Sequence, residues 1–150
     1  MTFDYGGSSK TISGILGIDH VGIALHSLAD GIDFYQRVFG CSVISREVNH
    51  EQGIEEAILK MGDARFQLFA PISEQSPIFR FLQKRGEGIQ QVALKVIDIE
   101  KSCNEARALG ITVLYDQAKL GSMGSLINFL HPSDCSGVLI ELVQNVPSKP

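Results

Sequence analysis

The sequence predicts an α+β fold in which two tandem βαβββ modules join into a cupped, partly open, mixed β-sheet barrel with helices on the outside. Three observations predict it. Residues 17–47 and 88–117 are two versions of one pattern, strand then helix then glycine then strand, which marks an internal duplication. In both copies the apolar period switches from two to about 3.6 residues, as it does where a strand passes into a helix. Polar side chains also recur at matched strand positions, His20 and Gln67 in the first half, Gln91 and Glu141 in the second.

Taken in order, residues 1–14 are polar and Gly/Ser-rich without an apolar signal region and read as a flexible leader to one domain spanning 15–146. Module one covers about 15–72. Its first strand sets Val21, Ile23 and Leu25 against His20, Gly22 and Ala24, an aliphatic face against a small or polar one. Ser27 with Asp30 three residues on predicts a capped helix start, Leu28, Ile32, Tyr35 and Phe39 its buried stripe, and Gly40 its end. Strands are expected over 41–47, 54–61 and 65–70. Ser76, Pro77 and the terminal Gly86 predict a connector helix over 76–86. Module two, about 87–146, repeats the scheme with Val92, Leu94 and Val96 alternating against Gln91, Ala93 and Lys95, a helix from Asp98 to Gly110, and strands over 111–115, 125–130 and 138–144.

Composition narrows the function classes. A chain of 150 residues with 44% hydrophobic and 20% charged residues can bury a core without staples. No apolar run approaches the roughly 18 residues a membrane helix needs. The net charge of −4 and the absence of a basic cluster argue against nucleic acid as a partner. Cys41, Cys103 and Cys135 are odd in number and widely spaced, so free thiols in a reducing, cytoplasmic setting are expected.

The matched polar residues carry the chemistry. Gln67 lies between Phe66 and Leu68, and Glu141 between Ile140 and Leu142, so alternation turns both polar groups away from their apolar neighbours. A carboxylate so flanked is costly to bury unless it is paired or binds a metal. With His20 and Gln91 on the corresponding strands, all four side chains can face one cup and share a divalent ion.

Several segments stand out: Ile18-Asp19-His20-Val21-Gly22, Gln52-Gly53-Ile54-Glu55-Glu56, Arg85-Gly86-Glu87-Gly88, Lys119-Leu120-Gly121, and Asn128-Phe129-Leu130-His131-Pro132 leading to Ile140-Glu141-Leu142. In order and spacing they resemble the methylmalonyl-CoA epimerase family of the vicinal-oxygen-chelate superfamily. The resemblance runs from about residue 17 to 145. It implies metal ligands at His20, Gln67, Gln91 and Glu141, a proton-transferring carboxylate at Glu56, and an acyl thioester as the small-molecule substrate. Chemistry would then follow from removal of an α-proton while the ion absorbs enolate charge. Glu141 and water are both open as the second proton carrier.

One position departs from the family pattern. Gln90-Gln91 stands where the family has a His-His pair, and the second of these is a ligand. Among Co, Mn, Mg, Ni and Zn, one nitrogen with up to three oxygens favours Mg, Mn or weakly held Co over Zn. This departure keeps two alternatives open, a same-fold isomerase, cyclase or lyase acting on another acyl thioester or carrier-bound acid, and a metal-poor binding protein. Extradiol oxygenation is disfavoured because its iron site needs two histidines. The loop holding Lys119 and Gly121 could bring one cation and backbone N–H groups to substrate phosphates. A complete cup within one chain leaves a homodimer open as the assembly.

Overall fold

A computed structural model describes residues 10–147. Strand β1 (Ile15–Ala24) leads into helix α1 (Leu28–Phe39), and β2 (Ser42–Asn49), β3 (Ile54–Met61) and β4 (Ala64–Pro71) complete the first unit. Helix α2 (Pro77–Arg85) connects to β5 (Gly88–Val96), α3 (Ile99–Ala108), the two-residue β6 (Lys119–Leu120), β7 (Leu126–Leu130) and β8 (Ile140–Gln144). The strands form one curled mixed sheet in the order β2-β3-β4-β1-β5-β8-β7-β6. Each half pairs its first strand in parallel with its last, β1 with β4 and β5 with β8, and the halves join through antiparallel β1 and β5.

Local chemistry explains the helices. The Ser27 hydroxyl accepts from the Asp30 N–H at 3.3 Å, the Ser76 hydroxyl from Ile78 N–H at 3.2 Å, and Asp98 Oδ1 from Lys101 N–H at 3.1 Å. Each satisfies a donor that the first helical turn leaves orphaned. Leu28 and Ile32 pack α1 against Ile23, Leu59 and Leu68 on the convex face of the sheet. Ile99, Cys103 and Ala106 pack α3 against Val96, Leu130 and Leu142 in the equivalent place.

Three expectations need amendment. Phe39, assigned to the buried stripe of α1, is 50% exposed at the last residue of the helix and makes edge contacts with Phe34 and Tyr35 instead of entering the core. The strand expected over 111–115 is reduced to one bridge, Val113 to Leu130, and the edge resumes only at β6. Between them the Asn128 side chain takes over the pairing, accepting from Tyr115 N–H at 3.1 Å and donating to Tyr115 O at 2.9 Å. Of the expected leader, residues 1–9 lie outside the described residues. Its end is tied to α3, with Ser13 N–H and Oγ–H donating to the Glu105 carboxylate at 2.7 and 2.8 Å. Among the described residues no helix is long and apolar enough to cross a membrane.

Candidate active site

The concave face of the sheet encloses a cavity of about 240 Å³, lined by His20, Glu56, Gln67, Gln91 and Glu141 together with apolar side chains such as Ile54, Phe69, Phe129 and Val143. The register explains how the polar groups meet. Gly22 on β1 is the partner of both Gln67 on β4 and Gln91 on β5. A Cβ at residue 22 would sit 2.6 Å from Gln91 Cγ and 2.9 Å from Phe69 Cε1, so only glycine leaves the room in which the two amides touch. Ala93 on β5 does the same between His20 on β1 and Glu141 on β8. Small residues on the two central strands thus bring larger polar ones together from either side.

The result is one continuous buried chain. Gln91 Nε2–H donates to Glu141 Oε2 at 2.8 Å and to Gln67 Oε1 at 3.1 Å. Gln67 Nε2–H in turn donates to Glu56 Oε2 at 2.7 Å and to Ser122 Oγ at 3.1 Å. His20 Nε2 lies 3.3 Å from Glu141 Oε1. That approach is not aligned as a hydrogen bond, and Nε2 is buried without any hydrogen-bond partner. The other ring nitrogen, Nδ1, is held by Asp19 Oδ2 at 2.8 Å, and Asn145 donates to Asp19 Oδ1 at 2.9 Å.

These residues fit a divalent cation. An orphaned imidazole nitrogen whose ring is oriented by a carboxylate behind it is the usual arrangement of a histidine ligand and its supporting partner. A carboxylate and two amides adjoin it, all offering hard oxygen donors. Burial by itself would push the His20 pKa down, but the Asp19 and Glu141 carboxylates outweigh it and hold it up at about 9. An ion binding at Nε2 displaces that proton.

Glu56 is the other buried carboxylate of the cup, only 1% exposed. Burial raises its pKa, hydrogen bonds from Ser122 and Gln67 oppose the rise, and the neighbouring Glu47 adds to it. The net direction is upward. Both carboxylate oxygens carry a donor, Oε2 from Gln67 and Oε1 from Ser122 Oγ–H at 2.6 Å, so the group has a fixed aim.

Of the seven residues singled out from sequence, the structure brings His20, Glu56, Gln67, Gln91 and Glu141 into contact with one another. Gly121 lines the same cavity. A Cβ there would lie 2.5 Å from Ile127 Cγ2, so the glycine is required by packing under the loop. Lys119 does not line the cavity; its Nζ sits 4.3 Å from the Tyr115 ring centroid and 3.7 Å from Glu51 Oε1. Sequence reasoning missed Asp19 and Ser122. Asp19 enters the cup through a β-bulge, the register shift between Ile18 and His20, which breaks the alternation that would turn it away. Gln90 lies at the corresponding shift on β5 and likewise lines the cavity. An acidic residue directly before a candidate ligand was the available signal.

Comparison with known proteins places these features in a family. The sequence profile of the Glyoxalase/Bleomycin resistance protein/Dioxygenase superfamily matches residues 19–129. The mitochondrial methylmalonyl-CoA epimerase of Mus musculus is 34% identical over 128 residues, 85% of this chain and 72% of that protein. The crystal structure of methylmalonyl-CoA epimerase from Mycobacterium tuberculosis superimposes with a TM-score of 0.87 at 44% identity, covering 91% of this chain and 93% of that one. A variant of the Streptomyces coelicolor methylmalonyl-CoA epimerase, in complex with 2-nitronate-propionyl-CoA, gives 0.86 at 42% identity, covering 89% and 99%. With the cup, its duplicated sheet and both sequence and structural similarity in agreement, the chain belongs to the methylmalonyl-CoA epimerase family of this superfamily.

Proposed function

We propose that this chain interconverts the stereoisomers of methylmalonyl-CoA, or of a closely related acyl thioester, by removing and returning the α-proton. Glu56 takes the proton from one face, Glu141 or a water returns one to the opposite face, and His20, Gln67, Gln91 and Glu141 hold a divalent ion. The observation that carries this reading is the buried chain from Glu141 through Gln91 and Gln67 to Glu56, which couples a metal-type donor set to a separate carboxylate in one cavity. Relatives of the same family support the substrate class.

When bound, the ion supplies a Lewis acid toward which enolate charge develops as the proton leaves. The chain's own residues do the rest. Asp19 orients the His20 ring, and Gln67 and Ser122 aim the Glu56 carboxylate at the substrate. Burial lifts the basicity of Glu56 toward the range in which a general base works best near neutrality. Ile54, Phe69 and Phe129 keep the cavity wall apolar, which limits water around the carbanion-like carbon. One imidazole beside oxygen donors suits Mg, Mn or Co and lacks the nitrogen- and sulfur-rich set that holds Zn most tightly. Lys119, outside the cavity beside Glu51, and the Gly121 loop in the cavity wall are the proposed contacts for the phosphates of the acyl carrier. The amide at residue 91 favours one second reading, the same proton chemistry on a different acyl thioester, which turnover across a set of acyl-CoAs separates from the first.

The test of the base is exchange of the α-hydrogen for deuterium from solvent, followed on a single stereoisomer of methylmalonyl-CoA. Glu56→Gln should slow this exchange by at least about 100-fold while binding persists. Exchange at the wild-type rate would remove Glu56 from the mechanism.

A further inference from the structure

Strands β2 and β6 are the two free edges of the sheet. The curl brings them to face each other, and side chains bridge the gap where backbone pairing stops. Asn49 Nδ2–H donates to Leu120 O at 3.4 Å, Lys119 approaches Glu51, and Met123 N–H donates to Glu47 Oε1 at 2.7 Å. The last of these ties is the strongest by geometry, a short charge-assisted hydrogen bond onto a carboxylate.

Glu47 stands directly opposite Glu56 in the β2–β3 register, so both carboxylates point to the same face. Like charges in that position destabilise a sheet unless donors offset them, and Glu47 lies close enough to Glu56 to raise its pKa. Here one turn from the other module, Ser122–Gly124, supplies both donors, Met123 N–H to Glu47 and the Ser122 hydroxyl to Glu56. The turn needs an anchor of this kind. Met123 adopts φ 54°, ψ 32°, a left-handed conformation that a side-chain-bearing residue holds only when its surroundings impose it. Glu47 itself is exposed at the rim and does not line the cavity.

We infer that Glu47 is a positioning residue which, through the Met123 N–H, fixes the Ser122–Gly124 turn so that the Ser122 hydroxyl stays on Glu56 and aims it. The inference rests on the reading of Glu56 as the base. It assigns to an edge-strand carboxylate, outside contact with substrate, control over the orientation of the reacting group.

The test uses the full chain and four variants, Glu47→Ala, Glu47→Gln, Ser122→Ala and the Glu47→Ala/Ser122→Ala pair, with methylmalonyl-CoA as substrate. Glu47→Ala, which removes the acceptor, should lower kcat about tenfold and leave KM nearly unchanged. Glu47→Gln keeps an acceptor oxygen and should retain most of the wild-type kcat. With Ser122→Ala already present, Glu47→Ala should cost less than about twofold more, because the two changes then remove one and the same interaction. Amide hydrogen exchange of segment 119–125, read without substrate, should speed up in Glu47→Ala and stay near wild type in Glu47→Gln. Full additivity of the two kinetic losses, or unchanged exchange of this segment in Glu47→Ala, overturns the inference. Failure of the base assignment is distinguishable: Glu56→Gln would then leave α-proton exchange intact, while the response of segment 119–125 to Glu47→Ala would persist.

Discussion

At position 91 an amide does what a single imidazole nitrogen could not. One N–H of a histidine reaches one acceptor, whereas the two hydrogens of Gln91 Nε2 bridge Glu141 and Gln67 at once. On the proposed ligand set, residue 91 offers a hard amide oxygen where the family pattern has an imidazole nitrogen, while its Nε2 organises the neighbours. A metal held less tightly is therefore expected. Gln91→His should tighten divalent-ion binding by about tenfold, equivalent to 1.4 kcal/mol, with the largest gain for Zn. Calorimetric titration of the purified protein with Mn, Co and Zn measures this, and unchanged affinity across all three would place residue 91 outside the ligand set. The candidate ligands were legible because strand alternation turns Gln67 and Glu141 away from their aliphatic neighbours. Asp19 and Ser122 were not. A bulge cancels the alternation rule at Asp19, and Ser122 reaches Glu56 only because the sheet curls until its edges meet.

Among the elements, the two central strands set the geometry of the cup through what they lack. Gly22 and Ala93 stand where pairs of long polar side chains from flanking strands must touch, Gln67 with Gln91 and His20 with Glu141. Adding a methyl at residue 22 forces it against Gln91 Cγ and Phe69 Cε1 at separations that packed atoms do not tolerate. Gly22→Ala should therefore cost about 1–3 kcal/mol of stability and part Gln91 from Gln67. Thermal unfolding together with metal titration checks it, and a variant as stable and as tightly metal-binding as the parent would contradict the packing account. Strand and helix order could be read from periodicity and caps, since Ser27, Ser76 and Asp98 each place a side-chain oxygen where the first turn needs an acceptor. The broken edge at 111–120 could not. Its pairing passes from backbone to the Asn128 side chain, a non-local substitution that leaves no trace in local composition.

For the molecule as a whole, duplication supplies the site. Each module contributes one proposed ligand from its first strand and one from its last, and parallel pairing of those strands places the two near each other. Antiparallel joining of β1 to β5 then brings the two half-sites into one cavity, and the β2–β6 seam closes it on the far side. The arrangement is lopsided in a useful way. Module one adds Glu56 on β3, while module two adds the turn whose serine aims it. Crystals grown with Co test the central claim most directly, through an anomalous difference map collected at the metal edge. A single peak enclosed by His20, Gln67, Gln91 and Glu141 is the expected result. An ion bound elsewhere on the chain, with the hydrogen-bonded row from Glu141 to Glu56 undisturbed, would contradict it.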